Sequence, residues 1–201
     1  MLQPSTTLAT DTTRRVPWKA SRRHSPDGAY GSATMTLFLS EHARRKKTRY
    51  FLDGIPREAR ILEIGCGQGW VAEHLRRGGW RHYVGIDLFP PADIVGDIHA
   101  WRGLGLEPQS FDVIIAFEVV EHVDCFRECY ELLKPGGKLM LTSPLPAADR
   151  VMRILEAIGV NQKRTSPHDH LVHFESIPYF QQKEIKIVGL LSQWGIFTKT
   201  S

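Results

Sequence analysis

The chain has 201 residues, 42% of them hydrophobic and 24% charged, which allows one substantial core and is typical of an ordinary soluble globular protein. It contains no run of about eighteen apolar residues, and residues 1–11 lack the basic start and apolar core of a secretory signal. We therefore expect neither a membrane span nor a leader. The three cysteines follow no disulfide or metal-ligand pattern, which favours reduced thiols and a cytoplasmic location.

The positive charge is concentrated in the N-terminal quarter of the chain. Residues 1–50 carry ten Lys and Arg against three Asp and Glu, whereas residues 51–201 carry sixteen against nineteen. The basic run at 44–47 could meet phosphates or an acidic membrane surface, although a solvated helix face is the more common interpretation of such a run.

The N-terminal residues predict a flexible segment followed by a single domain. Residues 1–28 are rich in Thr, Ser, Arg and Pro and contain few large apolar residues, so we expect them to lack stable structure. The domain is predicted to occupy residues 29–201. Its first element is a helix between residues 32 and 52, indicated by the spacing of apolar residues and ended by Asp53 and Gly54.

Strands then alternate with helices. The apolar run 61–64 stops in three alternating glycines, Gly65, Gly67 and Gly69, and residues 71–77 have helical spacing. This pattern is typical of a strand, a loop that a ligand approaches closely, and a helix. Further strands are predicted at 83–87, 94–97, 111–116, 138–142 and 185–191, with an antiparallel edge strand at 195–199; helices are predicted at 118–133 and 150–158. The alternation predicts one doubly wound, mostly parallel α/β sheet.

Two acidic residues are predicted to lie at the carboxyl ends of neighbouring strands. Asp87 follows the glycines by about twenty residues, a position from which a carboxylate can accept both hydroxyls of a ribose. A nicotinamide dinucleotide site also has an acidic residue at this distance from its glycines, so Asp87 alone does not identify the ligand. Asp97 and Ile98 are the pair needed to bind an adenine amino group and to cover the face of the ring.

Three later segments complete the pattern: Phe-Asp-Val-Ile-Ile-Ala at 111–116, Glu-Val-Val-Glu-His-Val at 118–123 and Leu-Leu-Lys-Pro-Gly-Gly at 132–137. Over about residues 60–144 the chain resembles the class I S-adenosylmethionine-dependent methyltransferases, including those of the ubiquinone-biosynthesis and other small-molecule types. The resemblance implies a Rossmann-like, seven-stranded sheet that binds S-adenosyl-L-methionine. By position it implies these cofactor-binding residues: Glu63, Gly65, Gly67, Gly69, Asp87, Leu88, Asp97, Ile98 and Phe117.

The segment after the fourth strand carries the candidate catalytic groups. On the predicted helix, Glu118, Glu121 and His122 share one face, where with His173 they could bind a divalent cation such as Mg, Mn or Zn. Many related small-molecule enzymes have a similar helix without metal. In that case His122 or His170 could act as general base beside Glu118, because the ordinary pKa of histidine suits proton removal at neutral pH.

These observations predict an S-adenosylmethionine-dependent methyltransferase that acts on a small-molecule acceptor. The acceptor atom that we expect is oxygen. One alternative is a metal-assisted RNA 2′-O-methyltransferase, suggested by the basic N-terminal quarter. The other is a protein that binds S-adenosylmethionine without turnover. The sequence leaves the acceptor and the oligomeric state open.

Overall fold

The computed structural model describes residues 41–146, 172–189 and 191–200. The chain divides into two units, Met1–Ala43 and Arg44–Ser201. The first unit is described only at residues 41–43, which are helical. The predicted flexible segment 1–28, the predicted helix 150–158 and His170 lie outside the described residues. All that follows concerns the second unit.

Seven strands form one sheet in the order β3-β2-β1-β4-β5-β7-β6. Strands β1 to β5 run parallel to one another, and β7 runs antiparallel to both β5 and β6. The predicted doubly wound, mostly parallel sheet is therefore confirmed. The strands are β1 Ile61–Ile64, β2 Tyr83–Asp87, β3 Ile94–Val95, β4 Phe111–Phe117, β5 Leu133–Pro144, β6 Phe180–Val188 and β7 Ser192–Lys199.

Helices cover the sheet. Residues 44–47 are α-helical and continue into a π-helix, Thr48–Leu52; the two further α-helices are α1, Trp70–Arg77, and α2, Phe126–Leu132. Two 3₁₀ helices span Ile98–Leu104 and Phe174–Ser176. Within the described part of the chain, no helix is long and apolar enough to cross a membrane.

The central strands of the sheet, β1 and β4, are buried on both faces. Alternate residues of β4 belong to different apolar clusters: Ile114 packs in one, and Val113 and Ile115 pack in the other. Because successive strand residues point to opposite faces, each face of the sheet has its own core. This explains why the strands read as continuous apolar runs, as expected for a parallel sheet covered on both sides.

The structure departs from the predicted elements at the carboxyl end of β4. The predicted helix 118–133 is wrong over its first half, because residues 118–125 are not helical, with a turn at 120–122, and α2 begins only at Phe126. Glu118 has φ 57°, in the left-handed region that a right-handed helix cannot contain. Its backbone N–H donates instead to the carbonyl of Thr142 on β5, at 2.8 Å.

Two smaller differences concern strands. Strand β3 is two residues long, because Asp97 already caps the 3₁₀ helix Ile98–Leu104, which the sequence did not predict. The predicted antiparallel strand is present as β7 but is eight residues long and lies between β5 and β6, so that β6 forms the edge.

Candidate active site

A glycine loop joins β1 to α1 at the carboxyl end of the sheet. Gly65, Gly67 and Gly69 have φ values of 71°, 49° and 74°, all in the region that only glycine adopts readily. A Cβ atom on Gly65 would lie 2.5 Å from Cγ2 of Val119, in the turn after β4. The loop therefore packs directly against that turn at Gly65, whereas a Cβ atom on Gly67 would meet nothing within 4 Å, which leaves space there for a ligand.

Asp87, at the end of β2, ties this loop to the next turn. Its Oδ2 accepts a hydrogen bond from the Gly67 N–H at 2.9 Å, and its Oδ1 accepts one from the Phe89 N–H at 3.1 Å. The apolar side chains of Leu88 and Phe89 are 60% and 71% exposed beside it. A carboxylate and an exposed apolar rim thus lie at the crevice where an open α/β sheet binds nucleotides.

Glu63 is a buried acid beneath the glycine loop. The Tyr83 hydroxyl donates a hydrogen bond to its Oε2, and only 2% of the residue is exposed. Burial, reinforced by the charges of Asp87 and Asp93, raises the pKa of Glu63 to about 8 against the lowering effect of the Tyr83 hydrogen bond. Burial therefore favours the protonated form of Glu63 compared with an ordinary glutamate. The neighbouring Cys66 is unreactive, because burial and the charges of these acids raise the pKa of its thiol to about 12.

The predicted adenine pair has different surroundings. The Oδ1 atom of Asp97 accepts a hydrogen bond from the His99 N–H at 3.0 Å and so caps the 3₁₀ helix. Ile98 is 5% exposed and packs in the core. Adenine recognition by these two residues stays a prediction.

Glu118, at the end of β4, is held by two side chains from other elements. Its Oε1 accepts hydrogen bonds from Lys47 Nζ and Thr142 Oγ1, each at 2.8 Å, and Lys47 Nζ also donates to Thr142 Oγ1 at 3.0 Å. The Lys47 side chain is 14% exposed and the Glu118 side chain 43% exposed, so the cation is largely buried while water still reaches the carboxylate. Lys47 Nζ also lies 5.3 Å from the ring centroid of Phe117, which is buried.

Glu121 is a second acid in this turn, and it is 2% exposed. Its Oε2 is buried and has no hydrogen-bond partner among the described residues. Burial, with the charge of Glu118 as a further cause, raises the pKa of Glu121 to about 7, while a hydrogen bond from Ser143 and the charge of Lys47 lower it. Burial thus brings the pKa of Glu121 closer to neutral pH than that of an ordinary glutamate.

The premise for the predicted metal site is wrong. Glu118, Glu121 and His122 do not share a helical face, because residues 118–125 are not helical. His122 and His173 are exposed, and His173 immediately precedes the 3₁₀ helix Phe174–Ser176. In the ranges that the structure describes, which include all four predicted ligands, no three His, Cys, Asp or Glu side chains are grouped so as to hold a metal ion.

The sequence reasoning missed five residues of the site: Lys47, Tyr83, Asp93, Thr142 and Ser143. Thr142 and Ser143 carried a usable signal, since two polar residues end an otherwise apolar strand. Tyr83 lies two residues before Gly85 on the same face of β2, but no local pattern pairs it with Glu63. Asp93 accepts a hydrogen bond from the Gly85 N–H at 2.8 Å, a contact between strand β2 and the bend before β3 that no spacing rule reveals.

Comparison with curated proteins finds similar methyltransferases. The chain is 36% identical over 103 residues to a ubiquinone biosynthesis O-methyltransferase of Xanthomonas euvesicatoria pv. vesicatoria (strain 85-10), covering 42% of this chain and 43% of that protein. It is 33% identical over 102 residues to the protein of the same name from Ralstonia nicotianae (strain ATCC BAA-1114 / GMI1000), covering 42% of each chain. The match spans less than half the length of these relatives.

Solved structures share the fold. The PH0226 protein from Pyrococcus horikoshii OT3 aligns with a TM-score of 0.57 at 19% identity, over 80% of this chain and 91% of that one. An S-adenosylmethionine-dependent methyltransferase from Mesorhizobium loti aligns with a TM-score of 0.54 at 16% identity, over 76% and 97% of the two chains. The sequence profile of the methyltransferase domain family matches residues 35–186, well over half of the chain. The chain therefore belongs to this family, within the class I S-adenosylmethionine-dependent methyltransferases.

Proposed function

We propose that the protein transfers the methyl group of S-adenosylmethionine to an oxygen atom of a small-molecule acceptor. The observation that carries the proposal is the buried carboxyl of Glu121, which has one oxygen without a partner among the described residues and a pKa raised to about 7. It lies in the turn that packs against the glycine loop. The name of the curated relatives, ubiquinone biosynthesis O-methyltransferase, supports oxygen as the acceptor atom.

The residues at the end of β1 and β2 fit the cofactor. Gly67 leaves the loop backbone uncovered, and Asp87 presents a carboxylate at the end of β2 for the ribose hydroxyls. Leu88 and Phe89 offer an exposed apolar surface beside it for a flat base. S-adenosylmethionine supplies an electrophilic methyl group on a sulfonium sulfur. The further candidates for cofactor contacts are Glu63, Gly69, Asp97, Ile98 and Phe117.

The chain has to remove the proton of the acceptor hydroxyl. An acceptor of the phenol type has an ordinary pKa of about 10, and a base whose pKa is near the working pH accepts its proton most effectively. Glu121 meets that condition because burial raises its pKa. Lys47 and Thr142 fix the carboxylate of Glu118, which then orients the acceptor by hydrogen bonding.

The imidazole of His122 is the alternative base at the same turn. His122 is exposed, whereas Glu121 is buried. Because water is kept away from a buried base, solvent interferes less with proton transfer from the acceptor to Glu121 than to His122. His170 lies outside the described residues and stays a prediction.

A divalent cation does not fit the described acids well enough to carry a step. Glu118 is already engaged by Lys47 and Thr142, and Ser143 donates to Glu121. We therefore propose acid–base chemistry by the chain's own residues.

Release of S-adenosylhomocysteine from catechol and simple phenols, measured with the wild type and with Glu121→Gln, tests the proposal. We expect Glu121→Gln to lower kcat by about 10²- to 10⁴-fold and to remove the rise of the rate between about pH 6 and 8. Glu58→Gln, at an exposed position, is the matched control and should retain full activity. Unchanged kcat and pH profile in Glu121→Gln would disprove the role of Glu121. If instead His122→Gln lowers kcat and removes the pH dependence, His122 is the base.

A further inference from the structure

A concave surface lies at the junction of β6, β7 and the helical residues 44–52. It is an open groove of about 510 Å³, within the size range of small-molecule sites. Three cations line it, Lys46 and Arg49 from the helical segment and Lys186 from β6, and two aromatic residues, Tyr50 and Trp194, contribute the rest of its functional wall. We call it the basic groove.

The cations of the basic groove have no acidic partner in the described part of the chain. Among the residues that the structure describes, no carboxylate lies within ion-pair distance of Lys46, Arg49 or Lys186. One acid, Glu184 of β6, acts on the groove residue Tyr50. Burial is the larger cause of the raised pKa of Tyr50, and the charge of Glu184 raises it further. Three positive charges against one negative charge leave an excess that favours an anion.

The aromatic residues form a wall on which a flat ring can rest. The ring centroids of Tyr50 and Trp194 are 5.5 Å apart, with their planes tilted by 50°. Lys186 Nζ lies 5.4 Å from the centroid of the Tyr50 ring, so that one cation is directed over this wall. A ligand with an aromatic ring and an anionic group matches both halves of the groove.

The basic groove lies next to the candidate active site. In the register of β5 and β7, Trp194 is opposite Thr142, whose hydroxyl donates to Glu118. Lys46 directly precedes Lys47, the cation that holds Glu118. Lys186, Trp194 and Thr142 are register partners across β6, β7 and β5, so the groove lies on the side of the sheet that carries Thr142 and its partner Glu118. Asp87 is on β2, beyond β1.

From these contacts we infer that Lys46, Arg49 and Lys186 bind the anionic group of the methyl acceptor, a carboxylate or phosphate attached to a small aromatic ring. The inference rests on the proposed function and narrows its substrate class to acidic hydroxyaromatic compounds. The limited volume favours a small molecule over a nucleic-acid strand or a lipid surface, both of which would also bring anionic groups.

Equilibrium binding tests the inference independently of turnover. Titration calorimetry with benzoate and phenyl phosphate, compared with neutral benzyl alcohol, is performed on the full chain saturated with S-adenosylhomocysteine. We expect the two anions to bind at least tenfold more tightly than benzyl alcohol. Each of Lys186→Gln and Arg49→Gln should weaken anion binding about three- to tenfold, as for partly exposed charge-assisted hydrogen bonds. Lys183→Gln, which removes an exposed lysine of the same strand outside the groove, should change nothing.

Turnover then separates this inference from the proposed function. With 3,4-dihydroxybenzoate and catechol as paired acceptors, the ratio of their KM values should favour the acid, and Lys186→Gln should bring the ratio towards one. Methyl transfer without any preference for the acid, and with equal binding of anion and alcohol, would overturn the inference and leave the proposed function intact. Binding restricted to anionic phosphatidylglycerol vesicles or to an RNA oligonucleotide would also overturn it.

Discussion

Replacing Gly65 by alanine tests how the glycine loop and the turn after β4 depend on each other. The new Cβ would lie 2.5 Å from Cγ2 of Val119, closer than such atoms approach in proteins, and it would have to adopt φ 71°. The left-handed backbone costs about 1–2 kcal/mol for a residue with a Cβ. Overpacking a well-filled site costs a further 1–3 kcal/mol or so. Gly65→Ala should therefore lower the free energy of unfolding by about 2–5 kcal/mol.

Two further variants separate the strain from the collision. Gly67 also has a positive φ, 49°, but a Cβ there meets nothing within 4 Å, so Gly67→Ala should show only the backbone cost. Val119→Ala removes the colliding Cγ2 atom. Combined with Gly65→Ala it should leave a double variant about 1–3 kcal/mol more stable than the sum of the two single losses.

Urea unfolding followed by tryptophan fluorescence gives all four free energies on one scale. The reasoning is wrong if Gly65→Ala costs no more than Gly67→Ala, or if the losses in the double variant are additive. In either case the turn after β4 would not be positioned by the loop.

Three other predictions concern the acids and the cofactor. The pKa of Glu63 is raised from 4.5 to about 8 in the folded protein, so the folded state binds the additional proton, and stability should fall as pH rises through this window. Glu63→Gln should reduce that fall in denaturation experiments at pH 5 and pH 9, and an unchanged pH dependence would contradict the burial argument. Asp87→Ala should weaken the binding of S-adenosylhomocysteine, measured by calorimetry, by about tenfold or more. Unaltered affinity would exclude Asp87 from the site. Methyl transfer should persist in excess EDTA, because Glu118 and Glu121 are engaged by the chain's own side chains; activity lost to EDTA and restored by Mg²⁺ would show instead that these acids bind metal.

The sheet could be predicted because its signals are local. Residues 61–64 and 83–87 were predicted with the bounds that the structure shows, since a buried parallel strand is a continuous apolar run. The run at 118–133 misled because apolar residues recur there at helical spacing. What decides its conformation is distant: the Glu118 N–H bonds to Thr142, twenty-four positions away, and this holds the residue in a left-handed conformation.

The site was predictable only in part for the same reason. Asp87 and the glycines could be identified by their position at strand ends, whereas the contacts of Glu63 and Glu118 depend on partners brought together by folding. Residues 44–47 illustrate the limit. A run of four cations is usually a solvated face, yet Lys47 is shielded and bonded to Glu118, while Lys46 lines the basic groove. Which member of the run faces inward depends on how the helix packs, and the run itself carries no such information.

The strand order has a consequence for the order in which the sheet can be assembled. Among the described strands, β6 pairs with β7 alone, and β7 is made after β6. During synthesis β6 consequently leaves the ribosome with no neighbour to pair with, and it must wait for β7 to form a hairpin before both can dock on β5. Truncation within Ser192–Lys199 would thus release two strands from the sheet and expose the edge of β5.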